Sequence, residues 1–264
     1  MYSSLSKERH ENKDKHRYWL PDFLKGIAVI AMILFHIPYM SNIIINTKYK
    51  INSGLLLILA RIAQFIFIFS IGLNITLSFH QNAICDNNRI IYYRKQLKRV
   101  IKIGLLALFI TIITKFAFGP DIYVKFGIMH FAAVSIFLFM WTVDRPIFNF
   151  CAMILILILD VISKYQGPFK IIENISPHLE MITFANSYSY YSIDHFNLAS
   201  WLPILIVGLL IGNLFFGYEC KKPSKSTKNV HMRNMEIIGA NSFLIYAIHF
   251  PIIYVIFRLL KTIS

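Results

Sequence analysis

Charge is scarce in this chain, and negative charge most of all. Of its 264 residues, 13 are Asp or Glu against 27 Lys or Arg, and charged residues make up only 15%. Soluble globular domains carry about a quarter, so a water-soluble core of this size is excluded. Cysteine is nearly missing as well. Cys85, Cys151 and Cys220 stand far apart, so neither a disulfide framework nor a zinc site is expected. The chain also lacks the apolar–polar alternation of a transmembrane barrel. No small-residue cleavage pattern follows the first apolar run, which is longer than a signal peptide's core, so no cleavable signal is expected. No internal repeat or low-complexity tract is present.

Apolar sequence takes the place of charge: 56% of the residues are hydrophobic and 15% aromatic. Spanning structures must satisfy their own backbone hydrogen bonds, so long apolar runs of this kind predict helices. The fold class is therefore all-α, a polytopic transmembrane helical bundle of about seven spans. The runs cover about 22–45, 55–80, 98–117, 125–143, 146–162, 198–217 and 238–258. Residues 1–19 read as a polar, basic cytoplasmic tail and 20–264 as a single transmembrane domain. The net charge of +14 raises nucleic acid as a partner, but the basic residues cluster between apolar runs, where they act as topology signals instead. Arg89, Arg94, Lys95, Lys221, Lys222, Lys225 and Lys228 all fall on one side if the N-terminus is cytoplasmic, and this sets the expected orientation. The C-terminus is then outside.

The first run, RYWLPDFLKGIAVIAMILFH at 17–36, places a charged head directly before apolar sequence and sets a histidine within it. Asp22 and His36 are 14 positions apart, which brings them within about 40° on a helix surface, with Lys25 closer still to His36. Acid, base and imidazole share one face. Their axial separation is roughly 21 Å at about 1.5 Å per residue, so a long, narrow ligand would reach from Asp22 near one membrane surface to His36 toward the other.

Ionisable side chains within spans are costly and mark candidate sites. Five lie toward the outer half: His36, Arg61, His130, Asp194 and His249. Neutral imidazole at His36 suits proton abstraction from a hydroxyl or amine, or transient capture of an acyl group; a histidine bonded between helices is the bland reading. Arg61 needs a carboxylate, a substrate anion or water, or else snorkels to the surface. For His130 and His249, packing is the plainer account. At the cytoplasmic entrance Arg17 and Lys25 have the charge to receive phosphate, with Asp22 orienting one of them. In the longest outer segment, 163–197, Tyr188, Tyr190 and Tyr191 suit a sugar or headgroup, or an interfacial aromatic belt.

The same residues resemble a known family. Arg17, Asp22, Lys25, Gly26 and His36 follow the first-span signature of the membrane acyltransferase superfamily, although lysine stands at 25 where arginine is usual. The chain is most similar to the bacterial branch related to the heparan-alpha-glucosaminide N-acetyltransferase catalytic domain. RIAQFIFIFSIGLNITLSF at 61–79, YYRKQLKRVIKIG at 92–104, YVKFGIMHF at 123–131, WLPILIVGLLIG at 201–212 and SFLIYAIHFPI at 242–252 extend the likeness over nearly the whole chain. The resemblance implies acyl transfer from cytoplasmic acyl-CoA, acetyl-CoA above all, to an extracytoplasmic glycan or other small acceptor at a bacterial inner membrane. It makes His36 the catalytic candidate and assigns Arg17, Asp22 and Lys25 to the donor's path. Arg61, His130, Asp194 and His249 would position the acceptor or its oxyanion. No metal is expected. The competing classes are a transporter or flippase of a small polar substrate, for which polar groups at depth also speak, and a non-catalytic membrane scaffold.

Overall fold

The computed structural model describes residues 18–121, 123–166, 182–183, 194–216, 220 and 230–263, and they are overwhelmingly helical. In chain order the helices are α1 (Trp19–Ile45), α2 (Gly54–Phe79), α3 (Arg89–Phe118), α4 (Ile128–Phe139), α5 (Pro146–Gln166), α6 (Leu198–Phe216), α7 (Val230–Ala240) and α8 (Ser242–Ile263). Among the described residues there is no strand, only an isolated bridge between Phe126 and His195. Six helices are long and apolar enough to cross a membrane: α1, α2 with its extension to Cys85, α3, α5, α6 and α8. The shorter apolar α4 corresponds to the seventh expected span.

Local chemistry explains several boundaries. Pro21 sits in the first turn of α1, where a missing N–H costs nothing. The helix ends at Asn46, which takes the left-handed conformation at φ 60° and gives its N–H to the Ser41 carbonyl. Helix α3 starts nine residues ahead of the apolar run expected at 98, because the Asn88 side chain accepts from the Ile91 N–H at 3.0 Å and caps it there. Helix α2 widens after Phe79 into a π-helical turn over His80–Cys85, with His80, Asn82 and Ala83 buried. The last apolar run, expected as one helix from 238, is broken at Asn241, which separates α7 from α8.

Two compact units divide the chain: Met1–Ser70 with Lys221–Ser264, and Ile71–Cys220. In the first, Val29, Ala31, Met32 and Ala63 form a buried core against Ile33, Leu59, Ile238, Ile245 and Tyr246. Helices α1 and α7 meet backbone to backbone: a Cβ on Gly239 would stand 1.6 Å from the Asp22 carbonyl oxygen, and one on Gly26 2.2 Å from that of Met235. Only glycine permits this approach. Along α7 the contacts run opposite to α1, from Gly26 against Met235 to Asp22 against Gly239, and beyond Asn241 helix α8 brings His249 against His36.

In the second unit α2 and α6 are equally close. A Cβ on Gly72 would lie 2.0 Å from the Leu205 carbonyl oxygen, and Thr76 Oγ1 donates to the Leu209 carbonyl at 3.1 Å. Tyr92 is fully buried and its hydroxyl donates to the Met140 carbonyl at 3.2 Å. The cysteine expectation is overturned here: Cys85 and Cys220 form a disulfide, with Cα atoms 5.0 Å apart despite a sequence separation of 135. Their distance along the chain was no guide, because each follows the end of a long helix and packing of α2 against α6 brings those ends together. Cys151 is free and exposed.

Candidate functional site

The first unit brings two of the expected residues together. His36, late on α1, and His249, on α8, have ring centroids 5.0 Å apart and planes inclined at 69°. Phe35, Tyr39 and Phe250 pack around the His36 ring at 5.4, 6.1 and 5.8 Å. Burial is deepest for His249, which is 7% exposed.

Each imidazole is held by its own helix. His36 Nδ1 lies 2.8 Å from the Met32 carbonyl oxygen, and His249 Nδ1 lies 2.8 Å from that of Tyr246. A carbonyl only accepts, so both Nδ1 atoms carry the proton and both neutral rings keep the lone pair on Nε2. His249 Nε2 is buried with no hydrogen-bond partner among the described residues. An unmet buried acceptor costs about 1–3 kcal/mol, a cost that a donor group on a ligand would relieve. Two neutral Nε2 atoms cannot bond each other, whereas a hydroxyl, amine or water brought between them can donate to either.

The entrance end of α1 is arranged differently. Lys25 Nζ donates to Asp22 Oδ1 at 2.6 Å, and Asp22 is 8% exposed beneath α7. Burial raises the Tyr18 hydroxyl above its ordinary pKa. Arg17 lies outside the described residues, as do Tyr188, Tyr190 and Tyr191. Arg61 is exposed on α2, where Nη1 donates to Gln64 Oε1 at 3.1 Å.

His130 and Asp194 belong to the second unit and share the N-terminal end of α4. Asp194 Oδ2 accepts from the Ile128 N–H at 3.0 Å, a capping bond that also favours a negative charge at the helix start. His130 Nδ1 accepts from the Gly127 N–H at 3.3 Å. Its Nε2 therefore bears the proton and donates to Thr111 Oγ1 at 3.2 Å, while that hydroxyl donates to the Val124 carbonyl at 2.8 Å. Both ring nitrogens of His130 are engaged.

Sequence reasoning missed the carbonyls of Met32 and Tyr246, the aromatic walls and the glycine contact beneath the entrance. The walls had a signal, since Phe35 and Tyr39 flank His36 at helical spacing and Phe250 follows His249. The backbone contacts had none beyond Gly26 itself.

Residues 17–251 match the family described as heparan-alpha-glucosaminide N-acetyltransferase, catalytic. No curated protein and no solved structure matches the chain.

Proposed function

Since the chain belongs to the heparan-alpha-glucosaminide N-acetyltransferase catalytic family, we propose that it is an integral membrane acetyltransferase. It moves an acetyl group from cytoplasmic acetyl-CoA to an extracytoplasmic sugar or other small acceptor, at a bacterial cytoplasmic membrane. His36 is the catalytic residue, as base or as acyl carrier. The observation that supports this most is the His36–His249 pair, two imidazoles with Nδ1–H fixed on backbone carbonyls and Nε2 lone pairs within an aromatic enclosure. This is the arrangement that an activated nucleophile or base requires, with the carbonyl serving as the group that orients the ring.

Asp22 and Lys25, with Arg17, receive the donor at the other end of α1. The Asp22 carboxylate holds the Lys25 ammonium in place, where its positive charge suits a phosphate oxygen. His249 accepts a hydrogen bond from the acceptor; its tautomer fits that role better than donation to an oxyanion, which would need the imidazolium. Arg61, His130 and Asp194 serve as acceptor-positioning groups. Each already serves a local bond, so their removal is expected to affect the fold as well as acceptor binding.

The test is label transfer from radiolabelled acetyl-CoA by purified protein in vesicles of defined orientation. Loss of label from the donor that depends on His36 supports the reading. Full turnover by His36→Ala with normal donor binding overturns the catalytic role.

A further inference from the structure

We propose that His249 is the general base of the acceptor half of the reaction, with His36 as the acyl carrier, so that the two imidazoles divide two steps between them. The inference rests on the acetyltransferase reading above. It follows from three observations: the Nδ1–H of each ring is committed to a backbone carbonyl, the rings are 5.0 Å apart, and the buried His249 Nε2 lacks a hydrogen-bond donor among the described residues. His130, by contrast, has both ring nitrogens engaged.

In the first step His36 Nε2 attacks the thioester carbonyl. The N–C bond forms, the C–S bond breaks, and CoA leaves as the thiolate. The acetylated ring is cationic, and its Nδ1–H bond to the Met32 carbonyl becomes charge-assisted. Phe35, Tyr39 and Phe250 stand in T-shaped contact with the His36 ring, beside the acyl bond. In the second step the acceptor hydroxyl or amine attacks the acetyl carbon while His249 Nε2 takes its proton. The bond to His36 breaks and His36 returns to its neutral form. His249, now an imidazolium steadied by the Tyr246 carbonyl, passes its proton to the CoA thiolate or to water. One proton leaves the acceptor and one neutralises the thiolate, so the cycle balances without another reactant.

The roles are not interchangeable. His36 shares its helix face with Asp22 and Lys25, the proposed donor path. His249 is on α8, almost enclosed, where a base can be kept from solvent.

Water is the acceptor probe, because it discharges an acyl-imidazole without knowledge of the natural substrate. Full-length protein in nanodiscs is mixed with labelled acetyl-CoA, and three quantities are followed: CoA release, label on the protein located by mass spectrometry, and loss of that label with time. Wild type is expected to release CoA in a burst and to carry label at His36. His249→Gln should keep the burst and hold the label longer by about 10²-fold. Hydroxylamine, a nucleophile that needs no base, should discharge wild type and variant alike. His36→Gln should lose burst and label together. Thermal unfolding of each variant, with imidazole rescue of His249→Ala, separates a chemical loss from a folding defect. Equal label lifetimes in wild type and a folded His249→Gln overturn the assignment, as does loss of the burst in that variant. CoA release by wild type without protein label overturns the carrier half while the acetyltransferase reading survives. No CoA release by wild type sinks that reading itself.

Discussion

His249 and His130 look alike in sequence, each a single histidine within an apolar helical segment, yet they are used differently in their two units. His130 spends both ring nitrogens on the start of α4, accepting from Gly127 and donating to Thr111. His249 spends one on Tyr246 and leaves the other unmet beside a second imidazole. Apolar context therefore does not separate these two histidines; the hydrogen bonds that each ring makes do.

The sharpest way to break this contrast is to remove each ring in turn. His36→Ala and His249→Ala are each expected to lower acetyl transfer by about 10²–10⁴-fold with thermal stability close to wild type, as read by labelled acetyl-CoA assays beside unfolding scans. His130→Ala should show the opposite balance. Loss of its capping bonds should cost about 0.5–2 kcal/mol of stability, while any change in activity falls on acceptor KM more than on kcat. Should His130→Ala abolish turnover in a well-folded protein, the distinction fails.

A large structural effect is expected where α7 crosses α1. Gly239→Val sets a branched side chain where even a Cβ would be 1.6 Å from a backbone oxygen, and the two helices must separate. Overpacking on this scale costs about 1–3 kcal/mol or more, visible as a lower unfolding temperature and as protease sensitivity near α7. Gly104, with nothing within 4 Å of its Cβ position, is the control; Gly104→Ala should be neutral or slightly stabilising. Milder again is Asp194→Asn, which keeps an oxygen for the Ile128 N–H and should cost well under the Asp194→Ala change in the same scan.

The Cys85–Cys220 link offers a comparison of another kind, because it joins two ends on the side expected to be cytoplasmic, where thiols are kept reduced. Replacing both by serine is expected to cost about 2–4 kcal/mol if the bond is formed in the cell. Labelling with a membrane-impermeant maleimide, before and after reduction, reads both the bond and the side. Modification only after reduction, and only from outside, would reverse the expected orientation.

Much of the architecture was legible in the sequence, because the requirement that a spanning segment satisfy its own backbone leaves few options for runs such as 22–45 and 198–217. Breaks that leave hydropathy unchanged were not. Asn241 divides one apolar run into α7 and α8, and the π turn at His80–Cys85 alters the helical period without altering composition. At the site, the register of Asp22, Lys25 and His36 could be read because it lies within one helix. The pairing of His36 with His249 spans more than two hundred positions, and neither residue's neighbours in sequence announce it. The tautomers depend on backbone carbonyls, which every residue possesses and no motif encodes.

The central claim is that acetyl chemistry occurs at the His36–His249 pair, and one measurement bears on it most directly: the location of label after brief exposure of the purified protein to radiolabelled acetyl-CoA. The account predicts acetyl on His36, formed within one turnover, absent from His36→Gln and persistent in His249→Gln. Label elsewhere, or equal donor turnover with both histidines replaced, would contradict it.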